Sequence, residues 1–228
     1  MTPSQLYDFF RSDIVDSVLP YLWTDDEVWE YMDDAYSMFV RLTGGIPDAT
    51  SDVTKVAVTA GAAFSPVSEL ILKIRRATLA STGLPLAIKN VEDTPLGSTG
   101  DYGAQPQVAA DSQPGIIRTM VIGEQDGLCR WIQLPATDDV VNLVVYRLPL
   151  NIISEASGDN DLNEVHYRHH RNFLLWMKHR AYGKQDAETF NKAKSEEFKD
   201  SFESYCVLAK AEKDRQKSKV RIVRYGGL

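Results

Sequence analysis

The spacing of apolar residues changes twice along this chain, and this change limits the folds open to it more than any other feature. Apolar residues recur at helical spacing up to Gly44-Gly45, alternate with polar residues between Pro47 and Pro149, and return to helical spacing afterwards. Helices at the two ends of a chain can pack into one bundle. The order therefore predicts an α+β fold, in which a helical bundle formed by the N- and C-terminal helices is interrupted by a central β insertion.

Two capping boxes predict the first two helices. Thr2 is followed by Pro3 and, three residues after the cap, by Gln5, and Thr24 is followed in the same way by Glu27. We therefore expect residues 1–46 to form a pair of helices. Their buried stripes are Leu6, Phe10, Ile14 and Val18, up to Pro20, and then Val28, Met32, Ala35, Phe39 and Leu42.

Residues 47–150 are predicted to be rich in β-strands because β-branched runs alternate there with turn residues. Asp126-Gly127 predicts a tight hairpin turn of type I′. Residues 93–115, rich in Gly, Pro, Ser, Gln and Asp, are expected to form a long exposed loop. The predicted strands are Val53–Val58, Leu70–Leu79, Leu86–Val91, Ile116–Gly123, Leu128–Leu134 and Val140–Leu148.

The last third of the chain predicts a helical hairpin over residues 151–213 that completes the bundle. Asp161 and Glu164 can cap a helix that ends at Gly183, and Asp186 can cap the return helix. Residues 214–228 have no apolar stripe and are predicted to form a basic, extended tail. The inner faces of the hairpin are Leu162, Val165, His169, Phe173 and Trp176, and then Phe190, Ala193, Phe198, Phe202, Tyr205 and Ala209.

The charges are unevenly distributed along the chain. The net charge is -7, which argues against a general nucleic-acid-binding protein. Arg11 is the only base up to residue 34, whereas Glu212 and Asp214 are the only acids from Lys210 onward. An acidic front and a basic tail suit head-to-tail or ring contacts between identical subunits, and solvated faces on a monomer explain them equally well.

Cysteine usage and hydropathy indicate a protein made and assembled in the cytosol, without a membrane partner. No apolar run approaches the roughly 20 residues that span a bilayer, and the N-terminus lacks the pattern of a secretory signal. Cys129 and Cys206 are far apart and are expected to be reduced, packed thiols. They predict neither a disulfide framework nor a zinc site.

His166, His169 and His170 form the one concentration of potential metal ligands in the sequence. At helical spacing His166 and His170 lie one turn apart on the same side. A zinc site needs further ligands, and His179 lies about half a turn away from His170. His169 falls on the apolar stripe, which favours a buried or interface histidine. We therefore expect no metal and no cofactor.

Other patterns leave two alternatives to a structural subunit. Asp25, Asp26, Glu27, Asp33 and Asp34 could supply an acid and base pair, although acids at a helix start usually stabilise the helix. One alternative is therefore a cell-wall or metal-dependent hydrolase. The other is a nucleic-acid-binding module that acts through its basic tail. No strained serine elbow and no phosphate-binding glycine loop supports a more specific enzyme class.

Four motifs connect most of the chain to one known family. Through them the chain resembles the head-to-tail adaptor (connector, or neck) proteins of tailed phages with short tails, which bind the portal protein beneath the capsid. Each motif is a packing or capping feature and none is a catalytic signature. They are Leu22-Trp23-Thr24-Asp25-Asp26-Glu27, Leu84-Pro85-Leu86, Tyr146-Arg147-Leu148-Pro149 and Ala181-Tyr182-Gly183-Lys184-Gln185-Asp186.

The resemblance implies a structural virion protein that is assembled in the host cytoplasm and is not an enzyme. Such a protein forms a homo-oligomeric ring, typically of twelve subunits, between the portal protein and the tail nozzle or tail fibre proteins. DNA passes through its channel during genome ejection without sequence-specific binding. The resemblance also implies that a C-terminal segment docks on the portal, here Val220, Arg221, Ile222, Val223, Arg224 and Tyr225.

Overall fold

The computed structural model describes residues 1–93, 114–158, 160, 162–185 and 189–217, and its fold is α+β. The described residues form two compact units: a helical unit, from residues 1–44 and those after residue 148, and a β unit, from residues 45–148. The predicted fold class is confirmed, since helices from both chain ends form one unit and the strands lie between them in sequence. Among the described residues, no helix is long and apolar enough to cross a bilayer.

The helical unit contains α1 (Pro3–Asp13), α2 (Asp25–Leu42), α3 (Phe173–Gly183) and α4 (Lys192–Lys217). Both predicted capping boxes form, and each threonine side chain accepts a hydrogen bond from the backbone amide three residues later. Two short 3₁₀ helices, Glu155–Ser157 and Tyr167–Asn172, precede α3. The first two helices therefore begin where the sequence predicts.

Aromatic side chains hold the N- and C-terminal helices together. The rings of Phe39 on α2 and Phe173 on α3 meet at 5.4 Å between centroids, and those of Trp176 and Phe202 join α3 to α4 at 5.2 Å. The indole of Trp23 donates a hydrogen bond to the carbonyl oxygen of Ala181 at 3.0 Å. The two ends of the chain thus share one core.

The end of α1 and the start of α3 differ from the predicted boundaries. α1 ends at Asp13, so Ile14 and Val18 are not on its buried stripe. The helix that ends at Gly183 begins at Phe173, because the chain before it winds as a tighter 3₁₀ helix. Asp161 and Asp186, the predicted caps, lie outside the described residues.

The return helix, α4, is shifted toward the C-terminus relative to its prediction. Asn191 caps it, since its side-chain oxygen accepts a hydrogen bond from the amide of Lys194 at 3.1 Å. Phe190 therefore precedes the helix and is exposed. α4 continues to Lys217, so residues 214–217 are helical rather than part of an extended tail.

The β unit is built around one curled, mixed sheet. Its strands are β1 (Ile46–Asp48), β2 (Lys55–Val58), β3 (Phe64–Pro66), β4 (Ile71–Leu79), β5 (Pro85–Asn90), β6 (Pro114–Gly115), β7 (Thr119–Ile122), β8 (Leu128–Ile132), β9 (Leu134–Pro135) and β10 (Asp139–Arg147). The longest strands, β4 and β10, pair with each other, and β1 and β2 both pair with the other edge of β10.

The sheet order is β1-β10-β4-β5-β7-β8-β3. Among its described strands only β5 and β7 pair in parallel, and β6 and β9 form a separate parallel pair.

The curl of the sheet encloses its own apolar core. Trp131, Met120 and Leu143 are almost completely buried there. The indole of Trp131 donates a hydrogen bond to the hydroxyl of Ser65 at 2.9 Å, so the one polar atom of this large side chain is satisfied inside the core. The β unit therefore has a core independent of the helical unit.

The turn between β7 and β8 is not the predicted type I′ turn. The two strands are joined by five residues, and positive φ angles occur at Gly123 (+87°) and Gly127 (+70°) but not at Asp126. A type I′ turn requires two consecutive positive φ angles. The predicted hairpin exists, but its glycines serve a longer loop.

Four short strands, β1, β3, β6 and β9, are not predicted from the sequence, because two or three residues are too few to show alternation.

The β unit begins and ends at one place. Ile46 on β1 pairs directly with Arg147 on β10, so the chain enters and leaves through neighbouring strands. A buried ion pair fixes this junction, with Nε of Arg147 2.5 Å from a carboxylate oxygen of Asp48. Gly45 precedes it with a φ of +88°, and a Cβ atom there would lie 2.8 Å from Cβ of Tyr146. Only glycine therefore fits at this position.

Candidate functional site

The residues predicted to dock on a portal protein, Val220 to Tyr225, lie outside the described residues, as do residues 94–113 of the predicted loop. Their role remains a prediction. The described residues do show what the other candidate groups contact, and they include one surface that the sequence pattern did not predict.

His169 is buried and both of its ring nitrogens are engaged. Nδ1 lies 2.7 Å from the hydroxyl of Tyr205, and Nε2 accepts a hydrogen bond from Nε of Arg168 at 3.2 Å. Burial lowers the pKa of His169 to about 4, and the nearby cations Arg168 and Lys213 act in the same direction. The imidazole is therefore neutral at pH 7 and joins the 3₁₀ helix to α4.

The α-helical arrangement predicted for His166 and His170 does not form. His166 is exposed and precedes the 3₁₀ helix, whereas His170 is buried with Nε2 2.7 Å from the carbonyl oxygen of Val165. The tighter winding of this segment removes the one-turn α-helical spacing on which the predicted geometry depended. Within residues 1–93, 114–158 and the described part of the last third, no group of three His, Cys, Asp or Glu side chains could hold a metal ion.

Four of the five acidic residues predicted as a possible acid and base pair make structural contacts, and the fifth, Asp26, is exposed. Asp25 accepts hydrogen bonds from Tyr7 and Arg11, and Glu27 pairs with Nζ of Lys184 at 2.7 Å. Further along α2, Asp33 accepts from the amide of Ile153 at 2.8 Å and Asp34 accepts from the indole of Trp176 at 2.7 Å. These four carboxylates therefore make contacts within the helical unit.

A serine and a histidine that the sequence did not single out are in contact between α3 and α4. The hydroxyl of Ser195 lies 2.9 Å from both Nδ1 and the backbone oxygen of His179. When this hydroxyl donates to the carbonyl, it can only accept from the imidazole, so the histidine does not act as its base. Ser195 is also buried. The pair joins α3 to α4. The two residues are 16 positions apart in sequence, so no local motif predicts their contact.

Both cysteines are buried, and burial raises the pKa of Cys129 and of Cys206 to about 12. Thiols with such a pKa are protonated at neutral pH and are weak nucleophiles. Cys129 belongs to the core of the β unit and Cys206 to the inner face of α4. They are packed thiols in different units.

The surface that the sequence did not predict is the segment between α1 and α2, residues 14–22, which we name the apolar loop. Val15, Val18 and Leu19 are 85%, 78% and 74% exposed, and Leu22 is exposed as well. Contiguous apolar side chains on the surface of a folded protein are typical of interaction sites. Of these four residues only Val18 lies on the predicted stripe of α1, and its exposure shows that the stripe does not extend to it.

A buried arginine holds the apolar loop in place. Arg11 donates to the carboxylate of Asp16 at 2.5 Å and to the backbone oxygen of Trp23 at 2.7 Å. Asp16 in turn accepts from the amide of Leu22 at 2.9 Å. The ring of Tyr21 covers the guanidinium at 4.1 Å. The loop is therefore fixed at both ends while its apolar side chains face solvent.

The backbone of the apolar loop is strained at one exposed residue. Val15 has a φ of +59°, a region that β-branched residues rarely adopt. Strained conformations persist where surrounding contacts impose them, and they are concentrated at functional sites. Here the adjacent Arg11–Asp16 pair supplies the constraint. The apolar loop is the best candidate for a functional site among the described residues.

Comparison with known proteins leaves the family open: no protein-family model matches this chain, and no curated protein matches it.

Proposed function

We propose that this chain is a structural subunit that works by binding copies of itself and partner proteins, as a head-to-tail adaptor in the neck of a short-tailed phage. The class rests on the sequence motifs that resemble such adaptors. The apolar loop is the structural observation that supports a binding role, because a folded protein that exposes three neighbouring aliphatic side chains gains free energy by covering them.

The rigidity of the apolar loop supports binding rather than a passive surface. A flexible loop would lose conformational entropy when a partner ordered it, whereas this loop is already ordered by Arg11 and Asp16. Contacts of this kind suit a protein whose task is assembly. His169 and Asp34, which could support an enzymatic alternative, make structural contacts, and both cysteines are buried.

In the proposed arrangement, subunits form a ring, typically of twelve, that joins the portal protein to the tail nozzle or tail fibre proteins. DNA passes through the ring without sequence-specific binding. Residues Val220–Tyr225 dock on the portal, because alternating basic and apolar side chains can form both ion pairs and buried contacts in a protein interface. Assembly takes place in the host cytoplasm and the ring remains in the virion.

Deletion of residues 220–228 tests this proposal. The shortened chain is expected to keep its circular dichroism spectrum and melting temperature, because the described helices end at Lys217. It is also expected to lose incorporation into complexes with the purified portal protein of the same virus, measured by co-sedimentation and negative-stain electron microscopy. A length-matched control replaces residues 220–225 with Gly and Ser, and it should fail in the same way.

Three other results would count against the proposal. Equal incorporation of the deleted and full-length chains would contradict portal docking by this segment. A full-length chain that neither forms rings nor binds the portal protein would overturn the adaptor function. Salt-dependent binding to duplex DNA that disappears when residues after Lys213 are removed would favour a nucleic-acid-binding module instead.

A further inference from the structure

The outer face of the sheet in the β unit, the face turned away from the core, carries exposed bases. Lys73 on β4 pairs directly with Tyr146 on β10, and Arg76 pairs with Val144. Side chains directly opposite one another in an antiparallel pair share a face, and so do those of Val144 and Tyr146, which are two residues apart. Val145, between them, lies in the core. Lys73 and Arg76 therefore lie on the outer face.

A β-bulge brings a third base of β4 to the same face. Arg75 lies between two residues of β4 that pair with consecutive residues of β10, so it is the extra residue of the bulge. Its guanidinium donates a hydrogen bond to the hydroxyl of Tyr146 at 3.1 Å and lies 5.4 Å from the centre of that ring. Lys73, Arg75 and Arg76 thus share one face, although strict alternation would divide them between two.

Two neighbouring strands add further bases to this face. Leu86 of β5 lies in the core, so Lys89, three residues later, is on the opposite side of that strand. On β2, Lys55 pairs directly with Asn142, which alternates with core residues of β10, and it forms an ion pair with Asp52. All of these bases are exposed. We name the surface formed by Lys55, Lys73, Arg75, Arg76 and Lys89 the basic face.

The acids of the same strands lie on the other side of the sheet. In β1, β2, β4, β5 and β10 the acids are Asp48 and Asp139, which pair with the core residues Val145 and Val58. Among the described residues, no acid forms an ion pair with a base of the basic face other than Lys55. The remaining described acids of the β unit lie outside the strands: Asp52, Glu69, Glu92, Asp93, Glu124, Asp126 and Asp138.

The composition of the basic face suits a nucleic acid better than a protein partner. Protein interfaces bury an apolar centre, whereas nucleic-acid interfaces are more polar and much more positively charged. Between its bases the face presents Asn142, Thr78 and the half-buried Val144. The large apolar side chains that are exposed on these strands, Leu72 and Val140, lie near the ends of β4 and β10.

We propose that the basic face binds the phosphate backbone of duplex DNA. The choice of duplex DNA rests on the proposed function, in which DNA passes through the ring. Phosphate contacts carry no sequence information, so this binding does not depend on base sequence. The net charge of -7 does not oppose it, because salt screens exposed charges beyond about 8 Å and the local bases therefore decide.

Neutralising the three bases of β4 tests the proposal. The full-length variant carries Lys73→Gln, Arg75→Gln and Arg76→Gln, and fluorescence anisotropy measures its binding to a labelled DNA duplex at several salt concentrations. It should bind about tenfold more weakly than the parent at low salt. The slope of log affinity against log salt should be smaller by about 3, because each lost phosphate contact removes about 0.9. An unchanged affinity and slope would overturn the proposal.

The matched control removes three exposed lysines from α4, with Lys192→Gln, Lys199→Gln and Lys210→Gln. It has the same net charge as the test variant and should bind DNA like the parent. Equal weakening in both variants would show an effect of net charge and overturn the proposal. Circular dichroism checks the folding of each variant. Arg76→Gln alone, which removes a single exposed side chain, should still lower the slope by about 0.9.

The C-terminal residues are separated from the basic face by repeating the comparison without residues 220–228. The difference between parent and test variant should be the same in that shortened chain. Binding that disappears with the deletion alone would overturn the proposal. Poly-glutamate that displaces the duplex as effectively as unlabelled DNA would indicate an acidic protein as the partner, which would also overturn it.

Lysine acetylation measures the contact without altering the basic face. Saturating duplex DNA should reduce acetylation of Lys73 and Lys89 severalfold and leave that of Lys192 and Lys199 unchanged, measured by mass spectrometry. Equal protection of all four lysines would contradict the proposal. A full-length chain that joins the portal complex but does not bind DNA would overturn this inference and leave the adaptor function standing.

Discussion

Single side chains decide what the apolar loop can do. Arg11 is buried and contacts Asp16, Asp25 and the backbone of Trp23, so one residue connects the end of α1 with the start of α2. Breaking a buried ion pair by removing one partner costs several kcal/mol because the other charge remains buried. The shape of the loop thus depends on a residue that is not itself exposed.

Replacing Val15 with Asn is expected to stabilise the protein and weaken its assembly. Asn tolerates the positive φ angle that Val15 adopts, and relief of this strain should raise the free energy of unfolding by about 1 kcal/mol. Little packing is lost, because the side chain of Val15 is 85% exposed. Urea denaturation measures the gain, and sedimentation velocity measures the loss of rings.

Val18→Asn is the matched control for this prediction. It removes an equally exposed valine that does not have a positive φ angle, so it should weaken assembly without stabilising the fold. A Val15→Asn protein that is no more stable than the Val18→Asn protein would show that the backbone at Val15 stores no strain.

The elements of the helical unit could be predicted from sequence where local signals were strong. The capping boxes at Thr2 and Thr24 form as expected because their hydrogen bonds involve only neighbouring residues. The end of α1 was missed because Ile14 and Val18 continue the helical spacing, whereas the contact that draws the chain away is the Arg11–Asp16 pair. That contact depends on the buried environment of Arg11, which spacing alone does not reveal.

The 3₁₀ helix before α3 should make the stability of the helical unit sensitive to acid. His169 has a pKa of about 4 in the folded protein, below the ordinary value of 6.5, so the unfolded chain binds the proton more readily. The contribution of neutral His169 to the free energy of unfolding is complete above pH 6.5. It is lost as the pH falls toward 4, and the loss is at most about 3 kcal/mol. Replacing His169 with Gln should reduce this pH dependence.

Urea denaturation at several pH values, followed by the helical circular dichroism signal, measures the effect of His169→Gln. The variant should lose less stability than the parent between pH 7 and pH 5. Parallel curves for the two proteins would show that His169 does not contribute to acid sensitivity. Glutamine can still hydrogen bond to the hydroxyl of Tyr205, so the comparison isolates the titration.

The whole molecule consists of two units with separate cores. The strands of the β unit enclose a core around Trp131. The longest strands could be predicted because apolar side chains alternate along them where one face meets this core. The order of strands in the sheet could not be predicted. β5 and β7 pair in parallel, but they are separated in sequence by a stretch without apolar alternation that does not indicate which strands pair. The apolar loop was likewise not predictable, since exposure is a property of the folded chain.

Residues 45–148 are expected to fold when produced alone. Trp131 is the only tryptophan in this segment, so its fluorescence reports on the core without interference. A blue-shifted emission that moves to longer wavelength in one cooperative urea transition would confirm an independent fold, because the indole is buried and hydrogen-bonded to Ser65. Emission typical of a solvated indole in the absence of urea would contradict the prediction.

The pairing of Ile46 with Arg147 also bears on how such a protein can change over time. Because the β unit leaves and rejoins the chain through adjacent strands, a single recombination event can exchange the whole segment without lengthening the connection between α2 and the later helices. The helices can then keep their own packing while the inserted segment changes. The two parts of the molecule are free to diverge at different rates.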